Sequence, residues 1–134
     1  MAMRQHSREA RSEEDIWTYR DYLDLPIDGK TYEIIGGNLS MAPAPRIRHQ
    51  KVSRNLELSI WEYVRKNELG EVYYAPINVI FDELNVVQPD LIYISRERAR
   101  IIKEEGIFGA SDLIIEILSP QNVGADMKRK KQLY

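Results

Sequence analysis

The sequence contains no cysteine among its 134 residues. This absence excludes disulfides and thiolate metal sites together. Any metal ion bound by the chain must therefore be held by carboxylate, imidazole or carbonyl groups. Oxygen donors of this kind favour a hard cation, so the expected cofactor is Mg²⁺, with Mn²⁺ as its alternative.

Long hydrophobic runs are also missing. The longest apolar stretches, such as residues 113–118, are interrupted by charge and fall far short of the roughly 20 residues that a bilayer-spanning helix needs. Residues 1–15 contain no apolar stretch of the secretory kind. These features predict a cytoplasmic protein without a membrane segment.

A strong excess of positive charge is the third absence. The net charge of −2 and the pI near 5.7 argue against a protein that coats nucleic acid without specificity, because such binding depends on neutralising phosphates. Locally the charge is uneven, and two basic clusters are candidates for a binding face. They consist of Arg46, Arg48, His49, Lys51 and Arg54, and of Lys128, Arg129, Lys130 and Lys131.

The size and composition are those of one globular domain. A chain of 15.7 kDa, 43% hydrophobic and 30% charged, is large enough for a single core and has no need of a second. Residues 1–14 mix charges without apolar periodicity and predict a flexible tail or a helical extension. We therefore expect one domain over residues 15–134.

The amino-terminal part of that domain predicts a short helix and a hairpin. Thr18 followed by Asp21 is the pattern of a capping box, and Pro26 limits the helix that it would start. Two β-prone runs are then joined by residues 36–38, Gly-Gly-Asn, which tolerate the positive φ angles of a tight turn.

A long helix is predicted next, between Ile47 and Val64, and Gly70 follows it. Its apolar residues recur mostly at intervals of four, which is typical of a helix with one buried face. The stripe consists of Ile47, Val52, Leu56, Ile60 and Val64.

The second half predicts further strands and helices. Residues 71–82 and 86–94 are rich in β-branched and aromatic residues and predict two strands paired as a hairpin. Ser95 is placed to cap a helix that runs through residue 102. The apolar run 113–115 predicts a strand buried on both faces in the middle of the sheet, and 125–134 predicts a closing helix.

Two acids in these strands suggest a site. Asp90 opens a strand after Gln88-Pro89, and Glu116 lies at the end of the apolar run. Two adjacent strands can bring both carboxylates to one edge of a sheet. A buried carboxylate is costly unless it is paired or bound to a metal. The alternatives for Glu116 are therefore a metal ligand and a structural acid paired with arginine or lysine.

The order of helix, hairpin, Pro-Asp strand, helix and acid-bearing strand resembles the PD-(D/E)XK superfamily of restriction-endonuclease-like folds. More narrowly, four segments resemble the Uma-type family of endonucleases: YEIIGGNL (32–39), MAPAPRIRHQ (41–50), VVQPDLIYIS (86–95) and GASDLIIEILSP (109–120). The similarity extends from roughly Thr18 to Tyr134. It implies an α/β (α+β) fold in which helices flank a mixed central sheet.

The resemblance also implies an activity, the metal-dependent hydrolysis of phosphodiester bonds in DNA. Asp90, Glu116 and a backbone carbonyl such as that of Ile117 would hold one or two Mg²⁺ ions. The same resemblance suggests Glu33, at the family's Tyr-Glu position, as a third carboxylate, with an outward-facing strand acid as the alternative. His49 is a candidate for contacting phosphate or moving a proton, or else a solvated helix residue.

The lysine of the superfamily pattern is displaced. It should stand two residues after the second acid, where this sequence has Leu118. The family spacing Asp-x-x-x-Lys-x-x-x-Tyr falls on Asp126, Lys130 and Tyr134, which implies that Lys130 reaches back into the site. Lys130 is also spaced for a surface ion pair with Asp126, and Tyr134 for simple packing. The competing lysines are Lys128 and Lys131.

Leu118 in the lysine position keeps a second hypothesis open, a catalytically silent nuclease-like fold that binds nucleic acid or protein. A third hypothesis is a purely structural or oligomerising domain. The resemblance also implies a strand after the last helix, which this sequence does not contain. We therefore expect a domain truncated at its carboxyl end or a self-associating one, most simply a homodimer that covers an exposed sheet edge.

Overall fold

The computed structural model describes residues 15–119 and 125–134, with side chains from residue 128 onward in the second segment. The flexible tail or helical extension expected over residues 1–14 lies outside them. No helix within the described ranges combines the length and apolar character that crossing a bilayer requires.

Three α-helices, one 3₁₀-helix and nine strands make up the described chain. In order they are α1 (Tyr19–Leu23), β1 (Thr31–Ile35), β2 (Asn38–Ala42), α2 (Ile47–Lys66), β3 (Gly70–Tyr74), β4 (Val79–Asp82), β5 (Asn85–Val87), β6 (Leu91–Ser95), the 3₁₀-helix (Arg96–Ile101), β7 (Ile102–Lys103), β8 (Gly106–Phe108), β9 (Leu113–Ile115) and α3 (Ala125–Leu133).

The strands form two sheets. Six of them follow the order β2-β1-β5-β4-β8-β7, and three follow the order β3-β6-β9. The β4–β8 pair is parallel and the other pairs are antiparallel, so the larger sheet is mixed. The predicted fold class, a mixed sheet with flanking helices, is confirmed.

The capping box and the hairpin form as predicted. The Thr18 N–H donates to Asp21 Oδ2 at 3.0 Å, and the Asp21 N–H donates back to Thr18 Oγ1 at 3.4 Å, which starts α1. Gly36 and Gly37 join β1 to β2 with φ angles of +58° and +79°. Because both angles are positive, the turn needs residues without a Cβ or tolerant of that region.

The two long strands predicted over residues 71–82 and 86–94 are each divided by a proline. Pro76 separates β3 from β4, and Pro89 separates β5 from β6. The outer halves pair with each other, β3 with β6, and the inner halves pair as β4 with β5. The hairpin partners were therefore predicted correctly. A proline cannot donate to a strand ladder, and the halves belong to different sheets.

The segment after β6 differs from its prediction. Residues 96–101 form a 3₁₀-helix, and Ser95 precedes it without a side-chain capping bond. The Ser95 N–H instead donates to Asp112 Oδ2 at 2.7 Å. The predicted helix after Ser95 is therefore present, as a 3₁₀-helix that ends at Ile101, but the predicted capping bond of Ser95 is wrong. The following hairpin, β7–β8, has strands of only two and three residues, too short for a pattern to reveal.

The prediction that residues 113–115 lie mid-sheet is also wrong. Within the described residues β9 pairs only with β6, and β6 is the central strand of the smaller sheet. Leu113 is 45% exposed, and the two isoleucines that follow are half-buried. A short apolar run does not by itself reveal whether both faces are covered.

The larger sheet is covered on both faces. Val79 pairs with Val87 and Ile80 with Val86, so alternate residues of β4 and β5 point to opposite sides. One side packs with Ile92 and Ile94 of β6 and with Leu133 of α3. The other side packs around Tyr22 of α1 and Ile34 of β1. The smaller sheet and α3 thus lie on one face and α1 on the other.

Helix α2 packs against β3, but the predicted stripe is only partly buried. Val64 is 4% exposed, whereas Ile47 and Val52 at the other end are 84% and 40% exposed. In the first turns the inward positions belong to polar residues, including His49 and Ser53. The apolar pattern therefore fails where the helix approaches the candidate site.

Candidate active site

The strand register places Asp90 and Glu116 at one edge of the smaller sheet. Leu91 of β6 is the antiparallel partner of Ile115 of β9. Asp90 precedes Leu91 and Glu116 follows Ile115, so each acid lies one residue beyond this pair. The structure therefore brings the two carboxylates together, as the sequence predicts.

The Asp90 carboxylate is held on both oxygens. The Ile117 N–H donates to Asp90 Oδ2 at 2.7 Å, and His49 Nε2 lies 3.1 Å from Asp90 Oδ1. The Asp90 backbone carbonyl also accepts the Ala75 N–H at 3.0 Å. Ile117 thus reaches the site through its N–H, and the suggested role of its carbonyl as a metal ligand stays a prediction.

His49 faces the site from the first turn of α2. Its side chain is 21% exposed and contacts Asp90, so the interpretation of His49 as a solvated helix residue is wrong. The contact follows from helical geometry, because positions 49, 53, 56 and 60 share the face that packs on the protein.

Glu33 lies inside the protein, and its interpretation as an outward-facing acid is wrong. The residue is 7% exposed. Its Oε2 accepts the Gln88 N–H at 2.7 Å, and its Oε1 lies 2.8 Å from Lys130 Nζ. Glu33 therefore connects the larger sheet to the segment that carries Asp90.

Lys130 bridges two carboxylates. Its ammonium lies 2.8 Å from Glu33 Oε1 and 3.2 Å from Glu116 Oε1, and the residue is 9% exposed. Lys128 and Lys131 are exposed on the same helix, so neither is placed like Lys130. The Asp126 side chain is outside the described part of the chain, and its ion pair with Lys130 stays a prediction.

Burial and charge act in opposite directions on Lys130. Burial disfavours its ammonium, but the nearby carboxylates of Glu33 and Glu116 outweigh burial and raise the pKa of Lys130 above its usual value. The side chain is therefore a cation at neutral pH.

Glu116 experiences the reverse balance. Burial raises the pKa of Glu116. The Lys130 ammonium and the Tyr134 hydroxyl lower this pKa, whereas the negative charges of Glu33 and Asp90 raise it further. A carboxylate in this position is stabilised by any further cation that approaches it.

Tyr134 does more than pack. Its ring lies 6.2 Å from that of Phe81, and its hydroxyl donates to Glu116 Oε1 at 2.7 Å. Burial, followed by the charge of Glu116, raises the pKa of Tyr134 above its usual range, which keeps the hydroxyl protonated as a donor. Glu116 Oε1 thus accepts hydrogen bonds from both Lys130 and Tyr134. Within the described residues, Oε2 receives no hydrogen bond.

The donor set suits an oxygen-preferring cation. The carboxylates of Asp90 and Glu116 lie at the same end of the smaller sheet. Glu116 Oε2 has no hydrogen bond among the described residues, and the Lys130 ammonium bridges Glu116 to Glu33. Within residues 15–119 and 125–134, no group of three ligand side chains is arranged to hold a metal. Glu116 is paired with Lys130, as its structural alternative predicts, and the role of Asp90 and Glu116 as metal ligands stays a prediction.

Three residues that support the site, Asn78, Gln88 and Tyr22, were not identified from the sequence alone. Asn78 Oδ1 accepts from Gln88 Nε2 at 2.8 Å and from the Tyr22 hydroxyl at 2.9 Å. Gln88 in turn uses its backbone N–H to hold Glu33. Only the position of Gln88, two residues before Asp90, gave any signal. Asn78 and Tyr22 are distant in sequence and had none.

The chain is thus an α+β domain in which acids and a buried lysine gather at one end of the smaller, antiparallel sheet. Residues 19–134 match the model of the Uma2 family, which is described as "Putative restriction endonuclease". The chain belongs to this family.

A solved structure supports the fold. The chain is similar to a protein from Anabaena variabilis described as a "putative nuclease belonging to DUF820", with a TM-score of 0.68 and 24% identity. The similarity covers 86% of this chain and 64% of that protein, so the chain spans less than two thirds of its length. At this identity the likeness shows the fold. No curated protein matches the sequence.

Proposed function

We propose that this chain is an endonuclease that hydrolyses phosphodiester bonds of DNA with the help of Mg²⁺ or Mn²⁺. The observation that carries the proposal is that Asp90, next to β6, and Glu116, next to β9, lie at one end of the smaller sheet, where Lys130 of α3 contacts Glu116. Membership of the Uma2 family supports the same activity.

Asp90 and Glu116 would hold the cation, since both present carboxylate oxygens at one strand edge. When bound, such an ion lowers the pKa of a water molecule and neutralises charge that develops on phosphate. The Ile117 N–H and His49 orient the Asp90 carboxylate before any ion arrives.

Lys130 supplies positive charge. Its pKa is raised by the neighbouring carboxylates, and its ammonium can donate to a phosphate oxygen or orient a water molecule. Glu33 and the Tyr134 hydroxyl act as positioning groups, since they fix Lys130 and Glu116 respectively. His49, which lies beside Asp90, would contact phosphate.

Nicking of supercoiled plasmid tests the proposal directly. We expect open-circular and then linear product with added Mg²⁺ or Mn²⁺, and none when EDTA removes the ion. A protein that binds either ion calorimetrically and leaves plasmid, linear duplex and single-stranded DNA intact would contradict the activity.

Leu118 favours the second candidate function, a catalytically silent fold that binds nucleic acid or protein. It is 56% exposed and occupies the sequence position where the superfamily has its lysine. The position of Lys130 weakens this alternative, because an ammonium from α3 reaches Glu116. Calorimetric titration with Mg²⁺ separates the two, since a silent site that lacks a ligand binds no ion.

A further inference from the structure

Glu33 connects the Lys130 ammonium to a backbone group that lies outside β1. Its Oε1 lies 2.8 Å from Lys130 Nζ, and its Oε2 accepts the Gln88 N–H at 2.7 Å. Because one carboxylate makes both contacts, a shift of the Gln88 backbone would also shift the oxygen that faces the ammonium. The position of Lys130 beside Glu116 therefore depends on what holds Gln88.

Gln88 lies in the short connection between the two sheets. Val87 is the last residue of β5 with a ladder partner, and β6 begins at Leu91. Within the described residues no strand ladder includes Gln88, and the proline that follows it has no N–H to donate. Pairing between strands therefore does not hold Gln88 in place.

The side chain of Gln88 is instead anchored on Asn78. Gln88 Nε2 donates to Asn78 Oδ1 at 2.8 Å, just beyond the end of the β4–β5 pair. Asn78 is held in turn by β8, since its carbonyl accepts the Ile107 N–H at 2.8 Å. A Cβ at Gly106 would lie 2.5 Å from this carbonyl oxygen, so the close approach requires glycine. The anchor of Gln88 therefore belongs to the larger sheet.

Tyr22 fixes the orientation of the Asn78 amide. The Tyr22 hydroxyl donates to the same Oδ1 at 2.9 Å. Burial, followed by the charge of Glu33, raises the pKa of Tyr22 above its usual value, so the hydroxyl stays protonated as a donor. An amide that meets two donors must present its oxygen to both, which keeps the acceptor turned toward Gln88.

We propose that Gln88 is a positioning residue of the candidate site, whose hydrogen bond to Asn78 holds Glu33, and through Glu33 the Lys130 ammonium, beside Glu116. The expected effect on turnover rests on the proposed nuclease function. Within the described residues no hydrogen bond joins Gln88 to Lys130 or to Glu116, so the influence of Gln88 passes through Glu33.

Two variants remove the anchor from opposite ends. Gln88→Met keeps an unbranched side chain and the backbone N–H but lacks the Nε2 donor, and Asn78→Leu lacks the acceptor. The matched control, Tyr93→Phe, removes one hydrogen bond in the smaller sheet, from the Tyr93 hydroxyl to the Leu69 carbonyl at 3.0 Å. Thermal unfolding verifies that each variant is folded.

Hydrogen exchange of the amide at position 88, followed by NMR, reports the anchor without any substrate. In the wild type this N–H is bonded to a buried carboxylate and should exchange slowly. We expect exchange at least about tenfold faster in Gln88→Met and Asn78→Leu, and an unchanged rate in Tyr93→Phe. Amides of the β4–β5 ladder correct for changes in global stability. A wild-type exchange rate in Gln88→Met would overturn the proposal.

Single-turnover cleavage at several DNA concentrations gives the second readout. Gln88→Met and Asn78→Leu should each lower the rate at saturation by about tenfold or more, because Lys130 is misplaced, and should leave the half-saturating DNA concentration within about twofold. Since both variants remove the same bond, the double variant should lose no more than the larger single loss. Tyr93→Phe should keep wild-type turnover. An equal loss in Tyr93→Phe, or losses that multiply in the double variant, would contradict the positioning role.

The outcome is separable from the proposed function. Cleavage by the wild type with an unchanged rate in Gln88→Met supports the nuclease and contradicts the positioning role. A wild type that leaves plasmid intact in Mg²⁺ contradicts the nuclease, and the exchange rate at position 88 then decides whether Gln88 holds Glu33.

Discussion

Asp90 and Glu116 are held in different ways, and the difference matters for what each can do. Asp90 has both oxygens engaged, by the Ile117 N–H and by His49. Glu116 has one oxygen shared by Lys130 and Tyr134. Asp90 is thus fixed in orientation, and Glu116 keeps an oxygen for a further cation.

Asp90→Ala and Glu116→Ala should each abolish metal-dependent cleavage without unfolding the protein, since each removes an oxygen donor. Asp90→Ala leaves the Ile117 N–H without its acceptor, at a cost of about 1–3 kcal/mol. Glu116→Ala removes a carboxylate whose charge is disfavoured by burial, but it also removes the acceptor of the Tyr134 hydroxyl and of Lys130, so the unfolding free energy should fall by about 1–3 kcal/mol. Plasmid nicking and urea unfolding measure both effects. Wild-type cleavage in either variant would remove that residue from the site.

Lys130→Ala should lower turnover by about 100-fold or more, because it removes the buried ammonium next to Glu116. Metal affinity should change less. Lys128→Ala and Lys131→Ala, which alter exposed cations on the same helix, should change mainly the salt dependence of DNA binding. Single-turnover cleavage with saturating DNA separates these effects, and equal losses in all three variants would mean that no lysine has a special role.

Tyr134→Phe should separate the hydroxyl from the ring. The ring contact with Phe81 is retained, and the hydrogen bond to Glu116 is lost. Because the acceptor is charged but the residue is partly exposed, we expect a loss of about 1 kcal/mol in unfolding free energy. Urea unfolding measures it. A variant as stable as the wild type would mean that Tyr134 contributes through packing alone.

At this scale the sequence revealed the acids better than their partners. Asp90 and Glu116 follow from the ends of two strands, which local patterns indicate. The contact of Glu33 with Lys130 depends on how β1 and α3 meet, and no local pattern contains that information. Resemblance to a family selected Lys130, whereas spacing alone left three lysines open.

Asp112 accepts a hydrogen bond from Ser95 of β6 and lies beside Arg98 of the 3₁₀-helix. Its ionisation should therefore affect the unfolding free energy. The hydrogen bond from the Ser95 N–H, aided by Arg98, lowers the pKa of Asp112 below its ordinary value of 3.8. The group therefore stabilises the fold above that value, and the contribution is lost as the pH falls through the lower pKa of the folded state.

Asp112→Ala should accordingly make the unfolding free energy depend less steeply on pH in the acidic range. The variant should lose less than about 1 kcal/mol at pH 6, because Asp112 is partly exposed, and the difference from the wild type should vanish as the pH falls well below 3.8. Urea unfolding between pH 2 and 6 gives the comparison, with the pH range chosen about the unperturbed aspartate pKa. A difference that persists unchanged at the lowest pH would show that charge on Asp112 is irrelevant.

Elements were predictable where local chemistry determines them. The capping box at Thr18 and the Gly36-Gly37 turn carry their own signals. The apolar pattern of α2 was misleading at Ile47 and Val52, since the helix turns His49 toward Asp90 there. Strand β9 was misplaced because its position depends on its neighbours and not on its own residues.

For the whole molecule we predict self-association through the smaller sheet. Within the described residues, the edge of β9 away from β6 has no strand partner, and Leu113 and Leu118 nearby are 45% and 56% exposed. Unpaired strand edges and exposed apolar side chains favour pairing with a second chain. Light scattering at micromolar concentration should give the mass of a dimer. Leu113→Lys should shift it toward the monomer, and a monomeric wild type would contradict the prediction.

The central claim is that Asp90 and Glu116 together hold a divalent cation. A crystal soaked in Mn²⁺, with anomalous diffraction recorded at a wavelength that excites manganese, tests it most directly. We predict an anomalous peak within bonding distance of one oxygen of Asp90 and one of Glu116, lost in Glu116→Ala. A soaked crystal in which both carboxylates are ordered and no peak lies between them, or in which the peak survives Glu116→Ala, would contradict the account.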